Sequence, residues 1–228
     1  AVYMPSGTMT NQVASGTDTG PGDEIVCEAG AHCYYYGTGA PAALSGVMCR
    51  LIPGERGVFT ASQLRAGPRP ANVHFPRTKL VCLESTHNRG GGKIWPMETL
   101  AAVTDAAHDA GLAAHLDGAR LWNASVATGI PEADWGAHVD YVRVCCSKGL
   151  GAPVGSALAG SEAFIERARR FRKMFGGGMR QAGIIAAGAL HALEHHRDRL
   201  AEDHANARRL AEGLAEVNGA EIDPAEVE

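Results

Sequence analysis

Short apolar runs alternate along the chain with segments in which apolar residues recur at helical spacing. The apolar runs of four to six residues are typical of strands buried in a sheet. They predict strands over residues 24–27, 47–51, 79–83, 112–116, 141–146 and 154–159. The helical pattern predicts helices over residues 9–14, 96–110, 118–128 and 161–174, with Pro96 in a first turn and Ser161 as an N-cap.

The alternation of strands and helices predicts an α/β fold with a largely parallel sheet. After Gly178 the pattern is helical, breaks near residues 195–199 and resumes to about Leu214. We expect one domain over residues 1–190 and a helical linker over residues 191–228. The chain opens at Ala1 without an initiator Met and stops soon after a long helix, so we expect a fragment of a longer protein.

Composition narrows the class of ligand. The chain is 45% hydrophobic and 20% charged, with a formal charge of −4 and a pI near 6.2. This balance gives no basic face for nucleic acid or an anionic membrane and favours a small-molecule substrate. No apolar run approaches the roughly 20 residues that span a bilayer, and the expected location is cytoplasmic. Six cysteines without a CxxC pair predict reduced, mostly buried thiols and no metal site.

Ligands of parallel sheets bind beyond the carboxyl ends of the strands, so the residues that follow each predicted strand are candidates for chemistry. Lys148 stands between an apolar strand and a glycine-rich turn, and we expect partial desolvation to make its amine nucleophilic. A solvated loop lysine is the plainer alternative. Residues 84–87, Glu-Ser-Thr-His, follow another strand.

Asp117 ends a third predicted strand, where an unpaired charge would be costly. We expect a cationic partner, either Arg120 or the protonated ring nitrogen of a cofactor that acts as an electron sink. Capping of the following helix is the structural alternative.

Other polar groups near predicted strand ends and turns suit an anionic cofactor. Ser6, Gly7 and Thr8 precede a helix, where free N–H groups and hydroxyls can bind phosphate, although plain capping uses the same residues. His32 and His87 can each lie against a flat ring or move a proton. Two basic residues near a glycine turn, Lys173 and Arg180, can reach an anion across a subunit boundary, or can simply be solvated. We expect His115 to be a hydrogen-bonded core residue.

A dinucleotide site is the competing interpretation of the glycine-rich segment at residues 149–155. That motif needs a helix to open after the glycines, whereas Pro153 and the apolar run that follows predict a second strand. The segment at residues 88–93 also lacks the P-loop spacing, because Ile94 stands where Ser or Thr is required.

Taken together, the motifs resemble those of the low-specificity threonine aldolases, which belong to the β-eliminating lyase group of fold-type I pyridoxal-phosphate enzymes. The similarity covers nearly the whole chain. It rests on the order of segments 5–12 (PSGTMTNQ), 31–36 (AHCYYY), 86–92 (THNRGGG), 115–120 (HLDGAR), 147–155 (SKGLGAPVG) and 176–181 (GGGMRQ). The resemblance implies a three-layer large domain over residues 1–190 that lacks its N-terminal segment and its C-terminal small domain.

The resemblance also implies a role for each candidate residue. Lys148 would carry pyridoxal 5′-phosphate (PLP) as a Schiff base, and Asp117 would pair with the ring nitrogen. The phosphate would be held by Ser6, Gly7 and Thr8, and by Lys173 and Arg180 of a neighbouring subunit. His32 would stack on the ring, Arg120 would contact the cofactor hydroxyl or the substrate carboxylate, and His87 would lie near the substrate's β-hydroxyl.

These roles imply aldol cleavage of L-threonine or L-allo-threonine to glycine and acetaldehyde, with His87 or a water that it positions taking the hydroxyl proton. We expect a homodimer or homotetramer with shared active sites. Ser85, where the family commonly has Asn, is a small departure. Other PLP chemistry, β-elimination or transamination, shares the same cofactor groups. The non-enzyme alternative is that the chain is an incomplete, inactive copy that pairs with a partner subunit.

Overall fold

A single sheet organises the computed structural model, which describes residues 1–227. Its strand order is β1-β7-β6-β5-β4-β2-β3, and β1 and β7 run antiparallel to their neighbours while the pairs from β6 to β3 are parallel. The strands are β1 (Val2–Met4), β2 (Glu24–Glu28), β3 (Met48–Ile52), β4 (Thr78–Glu84), β5 (Ala113–Gly118), β6 (Tyr141–Cys145) and β7 (Ser156–Gly160).

Helices connect the strands and cover both faces of the sheet. They are α1 (Gly7–Asp18), α2 (His32–Tyr35), α3 (Ala61–Ala66), α4 (Met97–Asp109), α5 (Leu121–Thr128), α6 (Glu132–Ala137), α7 (Glu162–Met174), α8 (Ala182–His196) and α9 (Leu200–Ala215). A π-helical turn over Pro41–Ser45 and a 3-10 turn over Pro224–Glu226 complete the described elements.

Two apolar cores lie on opposite faces of the sheet because successive strand residues point to opposite sides. Val81 of β4 packs in one core with Leu100 of α4, while its neighbour Leu80 packs in the other with Val13 of α1 and Phe164 of α7. The predicted three-layer α/β architecture with a mostly parallel sheet is therefore confirmed.

The predicted elements are present, with small shifts at their ends. All six expected strands form, and β1 is an additional short edge strand that the pattern did not predict. Ser161 caps α7 as expected, since its Oγ accepts a hydrogen bond from the Phe164 N–H at 3.3 Å. Pro96 is the N-cap of α4 rather than a first-turn residue. The helix expected from Gly118 begins only at Leu121, because Gly118 still belongs to β5.

The C-terminal helices pack against the sheet domain rather than standing apart from it. Leu200 of α9 and Ala189 and Ala192 of α8 are buried in a small apolar cluster with Leu150, in the loop after β6. The helical break expected near residues 195–199 is present between α8 and α9. A division at residue 190 between a domain and a linker stays a prediction.

All six cysteines are free, as expected for reduced thiols. Cys27, Cys33, Cys82 and Cys145 are buried, and Cys49 and Cys146 are half-buried. Within residues 1–227, no cluster of three or more His, Cys, Asp or Glu side chains has the arrangement of a metal site. In the same part of the chain, the helices are too short or too polar to cross a bilayer.

Candidate functional site

A pocket of about 350 Å³ opens at the carboxyl ends of the parallel strands. Its walls come from the start of α1, from α2, and from the residues that end or follow β4, β5 and β6. The lining residues are Pro5, Ser6, Gly7, Thr8, His32, Glu84, Asn88, Ala119, Arg120, Arg143, Cys145, Ser147, Lys148, Pro153 and Val154. The topology thus gathers distant segments at the edge of the sheet where ligands of open α/β folds bind.

Lys148 lies in the turn that follows β6 and contributes to the pocket lining. The Lys148 carbonyl accepts a hydrogen bond from the Gly151 N–H at 2.9 Å, which closes the turn. The side chain is exposed, so the partial desolvation expected from the sequence is wrong in this structure. The glycine-rich turn leaves the amine open to the pocket and to solvent.

The first turn of α1 forms a second wall of the pocket. Ser6 is the N-cap, and its Oγ accepts a hydrogen bond from the Met9 N–H at 3.1 Å. The first N–H groups of a helix have no acceptor within it and point outward with the positive end of the helix dipole. Gly7 and Thr8 supply such groups beside the pocket, and α1 is 12 residues long. The Ser6 side chain can therefore cap the helix while the N–H groups of Gly7 and Thr8 remain available to an anion.

Asp117 is paired with Arg143, not with Arg120 as one of the sequence-based alternatives had it. Arg143 Nε lies 2.6 Å from Asp117 Oδ1, and Arg143 Nη2 donates to Oδ2 at 2.7 Å. The two residues are opposite each other in the register of β5 and β6. Arg120 lies beyond the strand, as the N-cap of α5.

Burial and charge act in opposite directions on this pair. Burial alone would raise the pKa of Asp117, but the charge of Arg143 and hydrogen bonds from Arg143 and Asn11 hold that pKa below its usual value. Burial likewise would lower the pKa of Arg143, yet the Asp117 carboxylate raises it. Both side chains are therefore ionised, and each compensates the other's loss of hydration.

A polar chain behind Asp117 fixes its orientation. Asn11 Nδ2 donates to Asp117 Oδ2 at 2.7 Å, and Asn11 Oδ1 lies 3.2 Å from His115 Nε2. The opposite nitrogen of His115 lies 3.3 Å from the Tyr141 carbonyl oxygen. Burial lowers the pKa of His115 to about 4, so the ring is neutral. The expectation that His115 is a hydrogen-bonded core residue is confirmed.

Glu84 and His87 form a second buried polar group. Glu84 Oε2 accepts a hydrogen bond from the His32 N–H at 2.7 Å, and Oε1 accepts one from the Asn88 N–H at 3.0 Å. His87 lies behind this carboxyl, with Nε2 at 3.6 Å from Glu84 Oε2 and 3.1 Å from Glu28 Oε2. Glu84 lines the pocket, whereas His87 is not among the described residues that do.

The hydrogen bonds of His87 define where its proton is. His87 Nδ1 accepts from the Gly90 N–H at 3.0 Å, so in the neutral ring the proton is on Nε2 and faces Glu28 and Glu84. Burial lowers the pKa of His87. Burial, together with the charge of Asp117, raises the pKa of Glu84 to about 8. Glu84 is therefore mostly protonated at pH 7, next to a neutral imidazole.

His32 and Arg120 lie where the sequence-based interpretation expects them, in the pocket wall. His32 is half-buried at the start of α2, with its backbone N–H held by Glu84, and burial lowers the pKa of its ring. Arg120 is also half-buried. By contrast, Lys173 and Arg180 are exposed and lie outside the described lining of this pocket.

The sequence interpretation did not identify Arg143 or Asn11 as site residues and gave Glu84 no role. One signal was available for Arg143, because a charged residue at an inward position of a buried strand requires a partner. The partner itself depends on the register between β5 and β6, which local sequence does not reveal.

Comparisons with known proteins are consistent in both sequence and fold. A family model described as "Beta-eliminating lyase" matches residues 1–228. The chain is 39% identical to low-specificity L-threonine aldolase 1 of Arabidopsis thaliana, covering 100% of this chain and 65% of the relative. It is 41% identical to the low specificity L-threonine aldolase of Escherichia coli K12, covering 97% of this chain and 66% of the relative. The chain thus spans about two thirds of these relatives' length.

Solved structures support the same fold. A threonine aldolase of Leishmania major superposes with a TM-score of 0.83 at 21% identity, covering 93% of this chain and 64% of that one. A cystathione gamma lyase of Micromonospora echinospora superposes with a TM-score of 0.68 at 20% identity, covering 96% of this chain and 54% of that one. At these identities the likeness concerns the architecture alone.

Proposed function

The chain belongs to the β-eliminating lyase family, and on that premise we propose that it binds PLP and cleaves β-hydroxy-α-amino acids, L-threonine and L-allo-threonine among them, to glycine and an aldehyde. One observation carries the proposal: a single pocket gathers the Lys148 amine, the first turn of α1, His32 and Arg120. The names of the relatives at about 40% identity favour this substrate class over β-elimination or transamination.

The residues present fit the phosphate and aldehyde ends of PLP. The Ser6–Gly7–Thr8 turn offers N–H groups and hydroxyls at a helix N-terminus, which is a common phosphate site. A Cβ on Gly7 would collide with Arg143 Nη1, so glycine keeps this wall open. The volume of about 350 Å³ lies within the usual range for small-molecule pockets, about 300–1,000 Å³. An amine that bonds an aldehyde, Lys148, lines the same space.

When bound, PLP supplies an electron sink for the pair released as the substrate's Cα–Cβ bond breaks. The chain's own residues would bind and orient the cofactor and the substrate. Lys148 would hold the cofactor through its amine, His32 would lie against the ring, and the Arg120 guanidinium would attract the substrate carboxylate or the cofactor hydroxyl. Asp117 holds Arg143 in place, and Arg143 lies on the pocket side of this ion pair.

Proton transfer from the substrate's β-hydroxyl is the remaining step. We assign it to the ionised form of Glu84, because this carboxyl faces the pocket and its raised pKa, about 8, leaves a minority of it as a carboxylate at pH 7 and a larger share as the pH rises. The sequence-based hypothesis gave that role to His87 or to a water that it positions. In the present geometry His87 supports the carboxyl from behind, with its Nε2 proton between Glu28 and Glu84.

The experiment is reconstitution of the chain with PLP, followed by product analysis. Lys148→Ala and the charge-conserving Lys148→Arg should both lose the yellow colour of lysine-bound PLP and the cleavage of threonine. A wild-type chain that releases glycine and acetaldehyde supports aldol cleavage, whereas ammonia with a keto acid indicates β-elimination or transamination. Full activity of Lys148→Arg would overturn the proposal.

We further propose a homodimer or homotetramer with shared active sites. Lys173 and Arg180 are exposed and outside their own chain's pocket, which supports a role in a neighbour's phosphate site. Mixing inactive Lys148→Ala chains with Arg180→Ala chains tests this, since shared sites regain activity in mixed oligomers. No recovery, with mixed oligomers present, would contradict it. The six free thiols support the cytoplasm, a reducing compartment, as the location.

A further inference from the structure

Arg89 is an exposed cation at the mouth of the pocket. It directly follows Asn88, which lines the cavity, and the Asn88 N–H donates to Glu84 Oε1 at 3.0 Å. Within residues 1–227, the guanidinium contacts two tyrosines rather than a carboxylate. Its positive charge is therefore not neutralised by a direct partner in the described part of the chain, in contrast to that of the buried Arg143.

Aromatic contacts hold this guanidinium in place. Its central carbon lies 3.8 Å from the centre of the Tyr35 ring, and Nη1 donates to the Tyr36 hydroxyl at 3.4 Å. Stacking on a ring is favourable for a guanidinium and leaves its edge, which carries the N–H groups, open to a ligand. Arg89 is thus an ordered cation whose remaining donors can bind an acceptor.

The rings beneath Arg89 continue to the pocket wall. The ring centres of Tyr35 and Tyr36 are 5.2 Å apart, and that of Tyr36 lies 5.4 Å from the ring centre of His32, which lines the cavity. Tyr35 and Tyr36 are 53% and 47% exposed, so their faces are available to a ligand. His32, Tyr36, Tyr35 and Arg89, which we call the rim strip, form a continuous surface from the pocket to solvent.

The inner end of the rim strip lies next to the proposed proton acceptor. Glu84 Oε2 accepts a hydrogen bond from the His32 N–H at 2.7 Å, so the carboxyl and the strip share one side of the pocket. The substrate's Cβ carries both the hydroxyl, whose proton goes to Glu84, and the β-substituent. This substituent therefore starts beside His32. The methyl group of threonine ends there, whereas a longer substituent extends over the tyrosines toward Arg89.

We propose, on the basis of the function proposed above, that the rim strip is a subsite for the β-substituent and favours an extended aromatic group that ends in a carboxylate. The tyrosine rings offer apolar surface and stacking to the aromatic part. The Arg89 guanidinium offers paired N–H donors and a positive charge to the carboxylate. The subsite thus separates substrates by their far end, while the bond that breaks stays the same.

Two arylserines that differ only at the far end test the role of the charge. β-(4-Carboxyphenyl)serine and β-(4-carbamoylphenyl)serine have nearly the same shape, and cleavage of each yields glycine and an aldehyde. The measurement is kcat/KM for glycine release from each compound by the PLP-loaded chain. The two compounds differ in intrinsic reactivity, so the decisive quantity is the change of their kcat/KM ratio between wild type and Arg89→Met.

We expect the carboxylate-to-carboxamide ratio to fall by about threefold in Arg89→Met, a size typical of an exposed ion pair. The change should lie in KM rather than kcat, because the contact is remote from the reacting carbons. Arg89→Lys keeps the charge and should keep part of the preference. Arg65→Met, which removes an exposed arginine from α3, is the matched control and should leave the ratio unchanged.

Threonine cleavage should be the same in these variants as in the wild type, because the methyl group does not reach Arg89. A ratio that is unchanged in Arg89→Met, or that falls equally in Arg65→Met, overturns the proposal.

A second pair of variants tests the aromatic platform. Tyr35→Leu removes the ring under the guanidinium, whereas Tyr35→Phe keeps the ring and removes only the hydroxyl. We expect the KM of the carboxyphenyl substrate to rise in Tyr35→Leu and to stay near the wild-type value in Tyr35→Phe. A wild-type KM in Tyr35→Leu overturns the stacking role.

Failure of the subsite is distinguishable from failure of the proposed function. A wild-type chain without Lys148-dependent release of glycine from threonine overturns both. A chain that cleaves threonine but neither arylserine, or that cleaves both with a ratio independent of Arg89, overturns the subsite alone.

Discussion

Replacing Glu84 by Gln removes an acid whose ionisation is opposed by burial. Glu84 is 5% exposed, and its pKa rises from 4.5 to about 8 in the folded chain. In the wild-type protein its oxygens accept from the N–H groups of His32 and Asn88. A Gln side chain has a single acceptor oxygen, so one of these N–H groups loses its partner.

The sign of the pH dependence follows from the raised pKa. Below about pH 4.5 the carboxyl is protonated in both folded and unfolded chains. As the pH rises toward 8, the unfolded chain releases this proton while the folded chain keeps it, so stability falls. The difference between 4.5 and about 8 corresponds to about 5 kcal/mol. Glu84→Gln lacks this loss, although its unpaired N–H costs ~1–3 kcal/mol at every pH.

We therefore expect the variant to be less stable than the wild type at pH 5 and more stable at pH 9. Urea unfolding of both proteins at pH 5, 7 and 9 measures the difference, and the titration of all other groups cancels in that difference to first order. A gap between the two proteins that stays constant from pH 5 to pH 9 would refute the reasoning, because Glu84 would then titrate alike in both states.

Three further substitutions test other parts of the site. Asp117→Asn leaves Arg143 buried without a counter-charge and should lower the free energy of unfolding by ~3–5 kcal/mol in urea; a loss below ~1 kcal/mol would contradict a tight pair. Gly57→Ala places a Cβ at φ +92 into the His87 ring and should cost at least ~1–3 kcal/mol by the same assay, with unchanged stability as the contrary result. Gly7→Ala should push Arg143 Nη1 aside and weaken PLP binding in a fluorescence titration, whereas unchanged affinity would argue against a cradle there.

The fold was predictable because buried strands and amphipathic helices leave a strong period in sequence. Apart from Lys79 and His115, residues 79–83 and 112–116 are apolar on both faces, as a sheet covered by helices requires. The short edge strand β1 has three residues and pairs antiparallel with β7, so no local period marks it.

The site was predictable only as a set of positions after strands. Lys148, Arg120 and His32 reach one pocket because topology brings the carboxyl ends of parallel strands together. Partners could not be predicted, since the Asp117–Arg143 pair depends on strand register. The sequence also could not show that Glu84, rather than His87, faces the pocket. That depends on side-chain direction at a turn, which residue order does not specify.

Reduction of the PLP-loaded chain with borohydride, followed by peptide mass spectrometry, tests the central claim most directly. This reduction makes the bond between a lysine and the cofactor permanent. We predict a single pyridoxyl group on the peptide that contains Lys148. A label on another lysine, or no label on a folded and PLP-saturated chain, would contradict the assignment of this pocket.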